Sequence, residues 1–187
     1  MHGRFQSGAA MVKLTNTTGE AFSMAQTQAI SPQAGQQAPG FTLKSSDLKD
    51  VSLGDFTGRT VVLAFFPAAF TSVCTAEMCS FRDQLTQLNG ANAQVLGVSV
   101  DLPMSLARFK EAEQLNFPVL SDFDRVVIHD YGVEFSNFQG YQSPVAQRAV
   151  FVIDPTGTIA WEWIADHPGQ SPDYAQVMEA VEQIAAR

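Results

Sequence analysis

The stretch VVLAFFPAAFTSVCTAEMC, residues 61–79, contains both cysteines of the chain and decides how the rest is interpreted. Its first six residues form an apolar run rich in β-branched and aromatic side chains, which is typical of a fully buried strand. Pro67 ends that strand, because proline cannot donate a hydrogen bond to a sheet. Helical spacing then continues to about Leu88 and predicts a helix with Thr71 or Ser72 as its N-cap.

This placement puts Cys74 in the first turn of a helix, just beyond the carboxyl end of a buried strand. Free backbone N–H groups and the positive end of the helix dipole favour an anion there. Because the thiolate is the reactive form of cysteine, the position suits a nucleophile. The residues alone leave a second interpretation equally open, in which Cys74 is buried and packs as a small hydrophobic residue.

Composition argues against several classes of function. The 187 residues include 11 basic and 19 acidic ones, and a net charge of −8 offers no electrostatic footprint for nucleic acid or an anionic membrane surface. No apolar run approaches the ~20 residues of a membrane span. Three scattered histidines, His2, His129 and His167, make a poor zinc site with two cysteines, so we expect no metal and no other cofactor.

The order of predicted elements indicates one domain. Residues 1–37, rich in Gln, Thr, Ser, Gly and Ala, are predicted to form a flexible arm, and residues 38–187 a single domain. Strands alternate with helices, and a hairpin turned at residues 154–157 and a closing helix follow. This order predicts an α/β fold with a central mixed sheet and helices on both faces. The aromatic loop 134–147 is long enough to suggest a functional role.

The pattern Pro67-x-x-x-Thr71-x-x-Cys74, preceded by two phenylalanines and followed by Glu77, resembles the active-site signature of the peroxiredoxins. More loosely, the similarity covers the domain up to the C-terminus. The resemblance implies a thioredoxin-like fold and a thiol peroxidase in which Cys74 attacks a hydroperoxide. Neither a metal nor an organic cofactor is implied.

The resemblance also implies roles for other residues. Thr71 is expected to place its hydroxyl against the sulfur or the bound peroxide, and Pro67 to wall the pocket and shield the sulfur from water. The active-site arginine is expected at Arg148, which without the resemblance is more simply explained as a surface residue at a strand edge. Glu77 is expected to orient the arginine, and an acid in the first helical turn also suits the helix dipole.

Cys79 follows Cys74 by five residues, which in an ideal helix separates the two Cα atoms by roughly 8–9 Å. A disulfide does not bridge Cα atoms more than about 7 Å apart, so the pair can bond only if the first helical turn unwinds. The spacing resembles the Q-type, or bacterioferritin-comigratory, peroxiredoxins, in which the second cysteine resolves the sulfenic acid of the first. The preceding residues 65–71 look closer to the alkyl hydroperoxide reductase E-like branch. A purely structural Cys79 is the alternative.

The resemblance therefore leads us to expect a peroxidase for hydrogen peroxide and organic hydroperoxides, resolved by Cys79 and re-reduced by a thioredoxin-like or glutaredoxin-like dithiol. A reducing cytoplasm suits such a cysteine pair, and a homodimer is one of the assemblies found in the family. Two alternatives stay open: a one-cysteine peroxiredoxin that uses an external thiol, and a redox-switched binding or chaperone-like protein.

Overall fold

The computed structural model describes residues 31–186. The first half of this region contains β1 (Thr42–Ser45), β2 (Asp50–Ser52), β3 (Thr60–Phe65), α1 (Ser72–Gly90), β4 (Ala93–Ser99), α2 (Pro103–Ala112) and β5 (Val119–Ser121). The second half contains α3 (Val126–Asp130), β6 (Glu134–Phe135), β7 (Val145–Ala146), β8 (Ala149–Ile153), β9 (Ile159–Ile164) and α4 (Tyr174–Ala185).

Seven strands form one sheet in the order β2-β1-β5-β4-β3-β8-β9. The neighbours β3, β4 and β5 run parallel and the other pairs are antiparallel, so the sheet is mixed, as predicted. In the antiparallel pair of β3 and β8, Phe65 lies opposite Ala149. The end of β3 and the start of β8 therefore meet at the same end of the sheet, which brings the segment after β3 close to Arg148.

The central strand β3 is buried on both faces, which explains its unbroken run of apolar residues. Val62 and Ala64 belong to a core cluster that also includes side chains of α1, α2 and α4. Val61 and Leu63 belong to the opposite cluster, which includes side chains of α3. Helices thus cover both faces of the sheet, as the order of elements predicted.

Helix α1 begins where the sequence indicated, with Thr71 as its N-cap in an extended conformation. The Thr71 hydroxyl does not cap the helix, however, but donates a hydrogen bond to the carbonyl of Ala68 at 3.1 Å. The first turn therefore forms without a side-chain cap, which normally contributes about 1 kcal/mol. None of the helices in residues 31–186 is both long enough and apolar enough to cross a bilayer.

The boundary of the predicted N-terminal arm differs from the structure. Residues 1–30 lie outside the described residues, but residues 31–37 lie against the hairpin of β8 and β9. The N–H of Gly35 donates to the carbonyl of Ile159 at 2.8 Å. Backbone hydrogen bonds of this kind do not depend on side-chain polarity. The polar composition of residues 31–37 therefore placed the start of the domain at residue 38, after the point where the chain already pairs with it.

Candidate active site

Cys74 lies in the first turn of α1, and only 1% of its surface is exposed. It lines a cavity of about 210 Å³. The other lining residues come from the segment after β3, the start of α1, the 3₁₀ turn at Phe138–Gly140, the residue before β8 and the loop after β9: Pro67, Thr71, Ser72, Val73, Phe138, Gln139, Arg148, Pro168 and Gly169. A small molecule in this cavity would lie next to the sulfur.

Arg148 makes three hydrogen bonds inside this site. Its Nη2 donates to the Cys74 sulfur at 3.4 Å and to the carbonyl of Pro168 at 3.0 Å, and its Nη1 donates to Oε2 of Glu77. The residue is 1% exposed, so it is not the surface arginine that the strand-edge interpretation describes. The fold therefore brings together three of the residues named from the sequence: Cys74, Glu77 and Arg148.

The carboxyl group of Glu77 is fully buried, with 0% of the residue exposed. Burial raises the pKa of Glu77 from 4.5 to about 7, although the nearby Arg148 opposes this shift. Among the described residues, neither Oε1 of Glu77 nor Nε of Arg148 has a hydrogen-bond partner. The side chain is thus an internal partner of the arginine rather than a solvated acid at a helix end.

Arg148 keeps its positive charge despite its burial. Burial alone would lower the pKa of the guanidinium, but the negative charges of Glu77 and Cys74 outweigh that effect and raise it. A cation within hydrogen-bond distance of a sulfur stabilises the thiolate and any negative charge that develops on a bound oxygen. The site therefore places a buried cation beside a buried sulfur.

Asp101 holds the segment between β3 and α1 through a hydrogen bond, although it does not line the cavity and the sequence did not single it out. The N–H of Ala69 and the hydroxyl of Ser99 each donate to Oδ2 of Asp101 at 2.8 Å. Asp101 follows β4 as Pro67 follows β3, and parallel neighbours end at the same end of the sheet. An acidic residue directly after the next parallel strand was the signal that could have identified it.

Other lining residues gave no signal of their own. Phe138 and Gln139 belong to the loop 134–147, which was noted for its length and aromatic content but not assigned to the site. Pro168 contributes a backbone carbonyl, and every residue has one. Thr71 and Pro67 line the cavity, but the hydroxyl of Thr71 donates to the carbonyl of Ala68 and not to the Cys74 sulfur.

Cys79 lies apart from this cavity, on another face of α1. Its sulfur donates a hydrogen bond to Oε2 of Glu113 at 3.6 Å. Burial raises the pKa of Cys79; Arg82 opposes that shift, and the hydrogen bond to Glu113 adds to it. Both cysteines are free thiols, and α1 is continuous through both positions. The helix is thus intact between the two cysteines, and an intact helix holds their Cα atoms too far apart for a disulfide.

Comparisons with known proteins agree with this description of the site. The model of the AhpC/TSA family matches residues 34–162. Peroxiredoxin Bcp of Escherichia coli K12 is 41% identical over 128 residues, which cover 68% of this chain and 82% of the relative.

Two solved structures have a similar fold. Peroxidoxin BcpB of Mycobacterium tuberculosis aligns with a TM-score of 0.73 at 27% identity, covering 82% of this chain and 98% of that one. The bacterioferritin comigratory protein of Xanthomonas campestris aligns with a TM-score of 0.70 at 25% identity, covering 84% of this chain and 99% of that one. These likenesses confirm the thioredoxin-like fold that the sequence led us to expect.

Proposed function

The chain belongs to the peroxiredoxins of the AhpC/TSA family, and we propose that its peroxidase chemistry uses Cys74 to attack the peroxide and Cys79 to resolve the product. It is thus an enzyme, a thiol peroxidase of the Bcp type. The observation that carries the proposal for Cys74 is the guanidinium of Arg148, which donates to its sulfur at 3.4 Å beside a cavity that both residues line.

In the first step the Cys74 thiolate attacks the outer oxygen of a hydroperoxide. A sulfur–oxygen bond forms, the oxygen–oxygen bond breaks, and the leaving oxygen takes up a proton as water or an alcohol. The sulfur is oxidised to sulfenic acid. Arg148 and the first-turn backbone N–H groups, which have no acceptor within the helix, stabilise the negative charge that develops on the leaving oxygen.

In the second step Cys79 attacks the sulfenic acid of Cys74, which closes a disulfide and releases water. The first turn of α1 must unwind for this, because the helix holds the two cysteines too far apart. The lack of a side-chain cap at Thr71 supports this step, since it lowers the cost of opening the turn. A dithiol reductant of the thioredoxin or glutaredoxin type then restores both thiols.

The cavity supports a role for organic hydroperoxides as well as hydrogen peroxide. Its volume of about 210 Å³ exceeds what two oxygen atoms need, and Pro67, Val73, Phe138 and Pro168 give it apolar walls. The Xanthomonas campestris relative is a protein whose alkyl peroxide reduction activity has been studied through trapped intermediate and ligand complexes. We extend that substrate class to this chain as part of the proposal.

Mass spectrometry under non-reducing conditions tests the two cysteine roles. After one equivalent of peroxide, the proposal expects an intramolecular bond between Cys74 and Cys79. A stable sulfenic acid at Cys74 without that bond would instead indicate a one-cysteine enzyme that uses an external thiol. Steady-state turnover with thioredoxin then tests the reductant. The cytoplasmic location and the homodimer stay predictions.

A further inference from the structure

Cys79 has a polar partner of its own, which lies on a different element from the partner of Cys74. Its sulfur donates to Oε2 of Glu113, the C-cap residue of α2. The contact therefore joins the third turn of α1 to the end of the next helix. The proposed roles of the two cysteines do not account for a carboxylate at this position.

Arg82 fixes Glu113 in place beside the thiol. Its Nη1 donates to the backbone carbonyl of Glu113 at 2.7 Å, and its Nε donates to Asp83 at 2.8 Å. Arg82 follows Cys79 by three residues, so both project from one face of α1. Glu113 is thus held to α1 through its main chain as well as its side chain, and its carboxylate has a defined orientation toward the sulfur.

The Cys79 sulfur of the resting enzyme is a thiol. The charged groups that face it are Arg82 and Asp83 from α1 and Glu113 from α2. Burial raises the pKa of Cys79, so at neutral pH the thiolate is a minor form. Attack on a sulfenic acid requires the thiolate, so the proton of Cys79 needs an acceptor.

The same geometry indicates which cysteine moves. Cys74 lies in the first helical turn, which has no side-chain cap, whereas Cys79 is tied to α2 through Glu113. Opening the turns between them would carry Cys74 toward a stationary Cys79. Glu113 would then still contact the thiol at the moment of attack.

We propose that Glu113 is the general base of the resolving step, a role that rests on the proposed function of Cys79. The carboxylate takes the proton of the Cys79 thiol as its sulfur attacks the sulfenic sulfur of Cys74. The sulfur–sulfur bond forms, the sulfur–oxygen bond breaks, and the departing hydroxide is protonated to water. Cys79 is oxidised and the sulfenic sulfur is reduced, and Glu113 returns its proton to solvent, so no further reactant is needed.

Rapid-quench mass spectrometry separates the two steps after one equivalent of peroxide. The first phase is oxidation of Cys74 and the second is disulfide formation. We expect Glu113→Gln to leave the first phase unchanged and to slow the second on the order of 10²-fold, the usual contribution of a general base. The matched control is Glu111→Gln on the same helix, because Glu111 is exposed and pairs with Arg108. It should change neither phase.

The pH dependence distinguishes a base from a structural contact. Without the carboxylate, the second phase should depend on free thiolate and rise about tenfold with each pH unit, until it approaches the wild-type rate in alkaline solution. The wild type should be much less steep around neutral pH. Glu113→Asp, which keeps a carboxylate, should recover part of the rate at neutral pH. A packing role alone would give no alkaline recovery.

Each outcome decides between the two proposals. A second phase that is equally fast or faster in Glu113→Gln would overturn the general-base role and leave the roles of the cysteines intact. A missing second phase in the wild type would overturn the resolving role of Cys79 itself. If Glu113→Gln folds poorly, the Glu113→Asp variant carries the test: a second phase that is slowed by the same factor at neutral and at alkaline pH would exclude the role.

Discussion

Cys74 and Cys79 lie in one helix, five residues apart, but their sulfurs have hydrogen-bond partners of opposite charge. The sulfur of Cys74 accepts a hydrogen bond from the cation of Arg148, whereas that of Cys79 donates one to the carboxylate of Glu113. Cys74 is buried and lines a cavity, whereas Cys79 is partly exposed.

The difference shows how one helix can hold two thiols with separate tasks. Cys74 has a cation within hydrogen-bond distance, which suits a site that must stabilise negative charge. Burial, with a further contribution from Glu113, raises the pKa of Cys79, so the second thiol keeps its proton until an oxidised partner arrives. Four changes to the protein test this contrast.

Removing each sulfur in turn should have very different consequences. Cys74→Ser should abolish peroxide consumption, because a serine hydroxyl is a far weaker nucleophile at neutral pH. Cys79→Ser should keep the first oxidation at the wild-type rate and lose only the disulfide. Peroxide consumption under single-turnover conditions measures both. Residual turnover in Cys74→Ser, or a slow first oxidation in Cys79→Ser, would contradict the separate roles of the two cysteines.

Changing the cation beside each sulfur should affect the two cysteines differently. Arg148→Lys should slow the reaction of Cys74 with peroxide by about 10²–10³-fold, because lysine cannot reproduce the planar set of three hydrogen bonds. Arg82→Lys keeps a charge near Cys79 and should leave that rate unchanged. Stopped-flow measurement of the first oxidation gives both values, and equal losses in the two variants would contradict the distinction.

The buried carboxyl group of Glu77 should make the free energy of unfolding depend on pH. The pKa of Glu77 is 4.5 when unperturbed and about 7 in the folded protein, so the folded state binds more protons between these values. The free energy of unfolding should therefore be highest below pH 4.5 and fall as the pH rises through 7, by about 3 kcal/mol in total.

Urea denaturation across this pH window measures the effect. Glu77→Gln should remove most of the slope, while Glu113→Gln should retain it. Asp122, whose pKa burial also raises, contributes a residual slope of the same sign. A slope that persists unchanged in Glu77→Gln would show that Glu77 is not its source.

A smaller effect is expected from the residue just before the N-cap of α1. Phe70 has a positive φ of 63° and is 57% exposed, and its ring packs edge-on against Phe109 of α2 with 5.2 Å between centroids. Phe70→Ala should remove about 1 kcal/mol of this support and speed disulfide formation about fivefold.

Leu48→Ala provides the matched control for this change. Leu48 also has a positive φ, 61°, and is 60% exposed, but it lies in the turn between β1 and β2. Hydrogen exchange of the first α1 amides should increase in the Phe70 variant only. Equal exchange in both variants would show that the ring contact does not support the helix start.

Local pattern was enough to predict the strand, the helix and the position of Cys74. The run at residues 61–66 is buried on both faces, and Pro67 marks its end, so short-range chemistry determines this part of the fold. Arg148 is different, because 74 residues separate it from Cys74 and only the resemblance indicated it. The pairing of β3 with β8 brings the two together, and no local pattern encodes that pairing.

Two other features lie beyond a reading of residue types. The carbonyl of Pro168 receives Arg148, but a backbone group gives no signal in a sequence. The contact of Glu113 with Cys79 depends on how α2 packs against α1. The polar composition of residues 31–37 suggested an arm, although their backbone is hydrogen-bonded to the domain.

The long separation between Cys74 and Arg148 has a consequence for the time course of synthesis. The arginine emerges 74 residues after the cysteine. At about 5–20 residues per second, the ribosome needs roughly 4–15 s to cover that distance. Until β8 pairs with β3, the nascent chain therefore carries Cys74 without its arginine, and the cysteine reaches its full reactivity toward peroxide only once the two strands have met.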